Sequence, residues 1–452
     1  MQVVNPANEE LIREYCEYDS EEVSWRLDKS QDSFLLWRQT SFSDRASLFH
    51  NISDILKREK TEYARLITEE MGKPISASEA EIEKCAWTCD YFADHAAIFL
   101  SSKSVQTDGN NSFVRYDPLG GVLAVMPWNF PFFQVFRFAA PALMAGNVAL
   151  LKHSPNVSGC ALLVEDIFKN AGFPEGVFTS LLISVDRVPS LIAHSGIQAV
   201  TLTGSERAGQ AVAIEAGRNL KKTVLELGGS DPFIVLSDAN PLKAASAAAL
   251  SRTMNSGQSC IAAKRFIVEE PVAIEFENEL VRQMKNCKVG DPMDRKTQIG
   301  PIARLDLLNT LHGQVERSVQ DGARLLVGGH RLDRKGYFYA PTVLSEVRPG
   351  MAVFDEETFG PVAAISRVKD VREAVELANH TNFGLGASIW TSNPERGEAL
   401  VSDIEAGVVF INEVVKSDPR LPFGGIKRSG YGRELSNFGI LEFVNVKTVW
   451  VA

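Results

Sequence analysis

Apolar residues recur along the chain at two periods. In the first hundred residues the helical one dominates. Ile52, Ile55 and Leu56 fall at the i, i+3, i+4 spacing behind Ser43–Asp44, which the pattern takes as a helix cap. Met71–Gly72–Lys73–Pro74 reads as a helix stop. Over residues 100–118 the character changes. β-prone segments flank Asp108–Gly109–Asn110–Asn111, which predicts a hairpin.

From 119 to 228 strands and helices alternate. GVLAVM (121–126), VALLK (148–152), 199–203 and TVLEL (223–227) are apolar and short enough for buried strands. Segments 136–147, 158–170 and 207–216 carry the helical period. This βαβ rhythm predicts an α/β fold with a parallel sheet covered by helices on both faces. It continues from 229 to about 428, which predicts a second α/β domain, and FVNVKTVWV near the C-terminus is one more strand. No repeat of 20–50 residues and no low-complexity linker interrupts the pattern.

The stretch from Pro118 to Phe136 holds no charged residue and invites a membrane reading. Pro118, Pro127, Pro131, two glycines, Asn129 and Gln134 make it a poor spanning helix. It reads instead as a buried strand, a proline-bracketed loop and a helix start. Composition agrees with a globular chain: 45% hydrophobic and 23% charged over 452 residues leaves ample apolar surface for a core. A formal net charge of −10 without a basic block excludes nucleic acid and anionic membranes as expected partners. Six cysteines with no CxxC pair predict a reducing compartment. With no signal or transit pattern at the N-terminus, the expected location is the cytoplasm.

The seven histidines are scattered, without HExxH or zinc-finger spacing, so no metal is expected. Neither GxxxxGK[ST] nor GxGxxG occurs. In AVTLTGSERAGQA, however, a strand runs into a helix through Gly204, Ser205 and Gly209. A helix N-terminus offers free N–H groups to a pyrophosphate, although an ordinary strand-to-helix turn has the same look. Cys260, in NSGQSCIAAKRF, is either a small buried hydrophobe or a nucleophile awaiting activation. Glu226 interrupts an apolar strand just before Gly228–Gly229. Buried there, its pKa rises toward that of a general base, and an edge or salt-bridged position is the alternative. In PWNFP (127–131) two prolines stiffen the loop around Asn129, which is either a helix cap or an oxyanion donor.

Taken together these segments resemble the aldehyde dehydrogenase superfamily, nearly end to end. EMGKP (70–74), PWNFP, LLK (150–152), TGSERAG (203–209), LELGG (225–229), GQSC (257–260), EETFGP (356–361) and PFGGIKRSG (422–430) occur in the family's order and spacing. KHSPN (152–156), LELGGSDPF (225–233) and SDPRLPFGG (417–425) are most similar to the short succinate-semialdehyde dehydrogenases. The resemblance implies a Rossmann-like cofactor domain (1–99 with 119–228), a catalytic domain (229–428) and a small β-flap (100–118 with 429–452) that joins subunits into a homodimer or homotetramer. It implies that Cys260 attacks the aldehyde and Asn129 holds the oxyanion. Glu226 then activates water against the thioester. Trp128, Lys152, Pro155, Gly204, Ser205, Gly209, Glu357 and Phe359 fall at the family's NAD or NADP positions.

Two departures follow. NAD-specific relatives place a glutamate three residues after the lysine, where this chain has Pro155, so NADP is expected alongside NAD. Relatives of the mitochondrial type carry an arginine six residues before the nucleophile, where this chain has Met254, with Arg252 two residues earlier. The resemblance makes Arg137 and Ser417 the binders of a distal carboxylate. Arg137 read without it is equally a structural salt bridge to another domain. The expected reaction is oxidation of succinate semialdehyde to succinate. The alternatives are glutarate semialdehyde or small aliphatic aldehydes, or a non-catalytic structural protein.

Overall fold

The computed structural model describes residues 1–452. Two sheets organise the chain. The first has six strands in the order Gly430–Tyr431, Lys222–Glu226, Ile197–Thr203, Gly121–Met126, Val148–His153 and Phe178–Ser180. All are parallel except Gly430–Tyr431. Val148–His153 is buried throughout, the signature of a parallel strand covered on both faces. Because these strands run the same way, Met126, His153, Thr203 and Glu226 all end at one edge, where open α/β sheets bind their ligands.

The second sheet has seven strands in the order Arg324–Val327, Thr342–Ser345, Val362–Val368, Arg265–Glu269, Pro232–Val235, Gly386–Trp390 and Val408–Ile411. Pro232–Val235 begins a few residues after Glu226 ends the neighbouring sheet, and Arg265–Glu269 begins just after Cys260. The carboxyl edge of one sheet thus hands directly to the entry edge of the other. No helix is long and apolar enough to cross a membrane.

Lys103–Ser104, Asn111–Pro118 and Val444–Val451 form a separate antiparallel sheet, in which the hairpin turns where Asp108–Asn111 predicts it. The rest of the C-terminal segment lies elsewhere. Gly430–Tyr431 extends the six-stranded sheet, and helix Ser436–Leu441 packs on helices Ile75–Phe99 and Phe133–Met144. The 429–452 boundary is corrected accordingly. The first residues also depart from the helical expectation, since Gln2–Asn5 and Glu10–Glu14 pair as strands.

Local chemistry explains the shifted helix ends. Helix Phe42–Arg58 is capped by Ser41, not by Ser43–Asp44. The Asp44 N–H donates to Ser41 and the Asp44 carboxylate accepts from the Ser41 N–H. Helix Phe133–Met144 starts earlier than its apolar period predicts. Its cap comes from outside the segment: Glu81 accepts the N–H groups of Phe132 and Phe133, both at 2.9 Å. Glu81 is in turn paired with Lys73, and both are buried. Lys73 also lies 3.8 Å from the Phe130 ring centroid. The EMGKP segment therefore does more than stop a helix, because it fixes the loop that carries Asn129.

Breaking such a buried pair leaves a charge without compensation, at a cost of about 3–5 kcal/mol. Glu81→Ala is expected to lower unfolding free energy by that amount in denaturant titration. A loss under about 1 kcal/mol would show that the pair does not anchor the loop.

Candidate active site

Cys260 sits in a loop that the backbone enters through strained residues. Asn255 and Ser256 adopt left-handed φ of 51° and 57°, and Gly257 follows at 78°. A Cβ at Gly257 would stand 2.2 Å from the Gly360 carbonyl, so only glycine allows this approach. The turn is held from inside. Asn255 Nδ2 donates to the carbonyls of Asn129 and Gln258, at 2.8 and 3.1 Å. Beyond the cysteine, the buried Lys264 ammonium donates to the carbonyls of Ser259, Cys260 and Ala262, at 3.2, 2.8 and 3.1 Å. With those carbonyls turned to Lys264, the Cys260 N–H is left without a partner in the protein backbone. Asn129 Nδ2 donates to the Gln258 carbonyl at 3.2 Å, which spends one of its two hydrogens beside the cysteine and leaves the other. Asn129 and the Cys260 N–H together form a candidate oxyanion site.

Glu226 ends its strand buried at 2% exposure. Burial pushes its carboxyl far above the usual range, the Glu434 charge adds to the rise, and Arg137 opposes it. Glu434 is raised by burial too and lowered by Arg137. Arg137 Nε pairs with Glu434, and Nη2 donates to Thr203 Oγ1 at 3.3 Å. The buried salt bridge that the sequence allowed is therefore present. The guanidinium also lies over the rings of Phe133 and Phe423, 5.8 and 5.0 Å from their centroids. Nη1 donates to no protein group, so one corner of the fork stays available. Phe130 belongs to the turn before the helix and does not share the helical face of Phe133 and Arg137.

The cofactor positions gather along the same edge. Lys152 is buried near the end of its strand, and burial lowers its pKa; its ammonium donates to the His153 carbonyl at 2.9 Å. His153 bridges to the Pro131 carbonyl through Nε2 at 2.9 Å and accepts the Ser154 N–H at Nδ1. Burial holds its pKa down at about 4, so it is a neutral strut rather than an acid or base. Pro155 opens a short turn and offers no carboxylate, while the Asn156 Nδ2 beside it is buried without a partner. Ser205 caps helix Glu206–Arg218, and a Cβ on the preceding Gly204 would meet the Leu202 and Ala208 side chains at ordinary contact distances, 3.6 and 4.0 Å. Gly209 has a packing role here, since a Cβ would stand 2.5 Å from the Leu227 side chain. Trp128 and Phe359 meet edge to face with centroids 5.7 Å apart. Glu357 accepts the Gly229 N–H at 3.0 Å and lies 3.9 Å from Lys264.

Ser417 precedes the PFGG segment and accepts a hydrogen bond from Lys84 at 2.7 Å. Arg252 is no second anchor: it is fully buried and donates to the Gly257 carbonyl at 2.6 Å. Sequence reading missed Glu81, Lys84, Lys264 and Glu434. Lys264 alone stands within a recognised motif. The others act across long sequence separations.

The aldehyde dehydrogenase family model matches residues 1–449. The chain belongs to the aldehyde dehydrogenase family. A probable NADP(+) succinate-semialdehyde dehydrogenase of Synechocystis is 52% identical, over 99% of both chains. The NADP(+) succinate-semialdehyde dehydrogenase 1 of Mycobacterium tuberculosis is 47% identical, also over 99% of both. Among solved structures, succinic semialdehyde dehydrogenase from Streptococcus pyogenes, in complex with NADP+, has a TM-score of 0.98 at 38% identity and covers 100% of this chain and 99% of that one. As an aldehyde dehydrogenase this chain has a mixed α/β fold with a Rossmann-like parallel sheet.

Burial pushes the Cys260 thiol up to about 12, against the lowering pull of Arg137 and Lys264. The free enzyme is therefore expected to hold the thiol protonated at neutral pH. Iodoacetamide labelling of Cys260, followed by peptide mass spectrometry, should accelerate steadily with pH and show no plateau below pH ~10. A plateau near pH 7 would contradict the burial argument.

Proposed function

We propose that the protein oxidises succinate semialdehyde to succinate, with NADP accepted at least as well as NAD. The observation that carries this reading is the Arg137 guanidinium. It is buried at 3% exposure, close enough to act on the Cys260 thiol, and one terminal nitrogen is unengaged. A neutral aldehyde has no use for a desolvated cation there, whereas a four-carbon aldehyde with a distal carboxylate does. Nε is taken by Glu434, so the carboxylate approaches end-on through the terminal nitrogens. The similar succinate-semialdehyde dehydrogenases of Synechocystis and Mycobacterium tuberculosis support the same substrate.

The residues at the sheet edge suit the dinucleotide. The helix N-terminus at Ser205 follows the end of Ile197–Thr203, and Lys152 and the unpartnered Asn156 Nδ2 lie at and just beyond the end of Val148–His153, two strands along the same edge. With Pro155 where a carboxylate would repel a 2′-phosphate, Lys152 can pair with that phosphate. Glu357, Phe359 and Trp128 would hold the nicotinamide end. Bound there, the cofactor supplies the two-electron acceptor of the oxidation.

The protein's own part follows from its groups. The Cys260 sulfur bonds to the aldehyde carbon as its proton is released to solvent, and the carbonyl oxygen takes negative charge against Asn129 Nδ2 and the Cys260 N–H. Loss of two electrons and the aldehyde hydrogen leaves a thioester on Cys260. Glu226 takes a proton from water, which adds to the thioester carbon. The carbon–sulfur bond breaks and the thiol is restored as the acid leaves. Glu226 needs a raised pKa for this duty, and its buried place beside Glu434 supplies one.

On the same reading the six-stranded sheet carries the cofactor and the seven-stranded sheet the nucleophile. The small antiparallel sheet, with Val446, Trp450 and Val451 exposed, joins subunits into a homo-oligomer. Six free cysteines, three of them buried, suit a reducing cytoplasm.

Assays with NADP and NAD should show higher kcat/KM for succinate semialdehyde than for glutarate semialdehyde or butanal. Cys260→Ser should abolish turnover. Glu226→Gln should lose steady-state turnover while keeping a burst of reduced cofactor, near one per site, because hydrolysis follows oxidation. Near-normal turnover in either variant would overturn its role. A roughly hundredfold preference for NAD, about 2.7 kcal/mol, would overturn the cofactor reading.

A further inference from the structure

Lys84 is the cation in this region without an assigned role. It lies on helix Ile75–Phe99, and its ammonium donates to Ser417 Oγ at 2.7 Å. It stands 4.5 Å from the centroid of the Phe133 ring, the same ring that Arg137 approaches at 5.8 Å. No carboxylate forms a salt bridge with Lys84, and Ser417 is its sole hydrogen-bond partner, so two of its three N–H groups have none in the protein. With Glu83, Trp87, Lys416, Ser417 and Asp418 it lines a surface cleft of about 480 Å³, in which Glu83 pairs with Lys60 and Lys416 with Glu413.

Two cations flanking one aromatic ring repel each other, and only Arg137 has an acidic partner. Such an arrangement is unfavourable in the empty protein and becomes favourable when an anion joins it. We propose that Lys84, with Ser417, is the second anchor for the distal carboxylate of the substrate, opposite Arg137. This rests on the semialdehyde reading above and supplies the contact that Met254 cannot make. Ser417 then has two duties: it orients the ammonium through its lone pair and offers its own hydrogen to the ligand. The chain would have moved its second cation from the nucleophile loop to a helix of the other half of the molecule.

Burial, reinforced by the Arg137 charge, lowers the Lys84 pKa to about 8, against the opposing pull of Cys85, Asp418 and Glu81. The ammonium form that the substrate needs is therefore lost as pH rises through about 8. Thiol and Glu226 ionisation affect every aldehyde alike, so they cancel in the ratio of kcat/KM for succinate semialdehyde to that for butanal. The wild-type ratio is expected to fall above pH ~8.

The test measures that ratio for wild type, Lys84→Met and Lys84→Arg at pH 7. Lys84→Met should lower it about ten- to a hundredfold, through KM for the semialdehyde, and Lys84→Arg should recover most of the loss. Equal losses for both aldehydes, or an unchanged ratio, would overturn the assignment to Lys84 while a high wild-type ratio leaves the substrate reading intact. A wild type without preference for the semialdehyde would overturn both. Should Lys84→Met fail to fold, Lys84→Arg and the wild-type pH profile decide, and a ratio flat from pH 7 to 9 would contradict the proposal.

Discussion

Burying the Arg137 guanidinium against Glu434 takes two charges out of water, and several features of the site follow from that cost. Desolvation of each ion runs to several kcal/mol, which the pair offsets only if its remaining polar atoms are also bonded. Here they are not. Both Glu434 oxygens, Glu226 Oε1 and Arg137 Nε are buried without a well-aligned hydrogen-bond partner, and Arg137 Nη1 donates to no protein group. Burial drives the carboxyl of Glu226 upward, and the nearby Glu434 charge adds to the rise, because two carboxylates near one guanidinium cannot both stay ionised at low cost. The same positive charge pulls the Cys260 thiol downward and lowers Lys84. One cation thus acts through its charge on the nucleophile, the base and Lys84.

The scaffold keeps this cluster in place by tying separate strand ends together. His153 links its strand to Pro131, and Gly204 N–H reaches the Glu226 carbonyl at 2.9 Å. Lys73 and Glu81 fix the helix that presents Arg137. Lys264 gathers three carbonyls of the nucleophile loop. Each tie satisfies a buried polar group and joins two segments of the site. Rigidity and reactivity come from the same bonds.

The apolar pattern made four strands of the six-stranded sheet legible to within a few residues, because strand burial depends on local composition, whereas the short edge strands Phe178–Ser180 and Gly430–Tyr431 left no such run. Cys260, Glu226 and Asn129 were readable because each breaks its local pattern next to a glycine or proline. Glu81, Glu434 and Lys84 were not. Each completes its partner from far along the chain, on a helix or loop where an ordinary surface charge would look the same. The start of helix Phe133–Met144 escaped for the same reason, since its cap is a carboxylate from another helix. Arg137 shows the limit most clearly. Sequence offered a salt bridge or a substrate anchor as alternatives, and the geometry gives it the first through Nε and leaves room for the second through Nη1.

Whether that open corner binds substrate is best measured with Arg137→Ala, by comparing kcat/KM for succinate semialdehyde and for butanal. A charge-assisted bond to the distal carboxylate contributes about 1.5–3 kcal/mol. The ratio of the two constants should therefore fall about ten- to a hundredfold, even if loss of the Glu434 pair weakens both reactions. An unchanged ratio, with both aldehydes losing equally, would mean that Arg137 only holds Glu434 and that the carboxylate is recognised elsewhere.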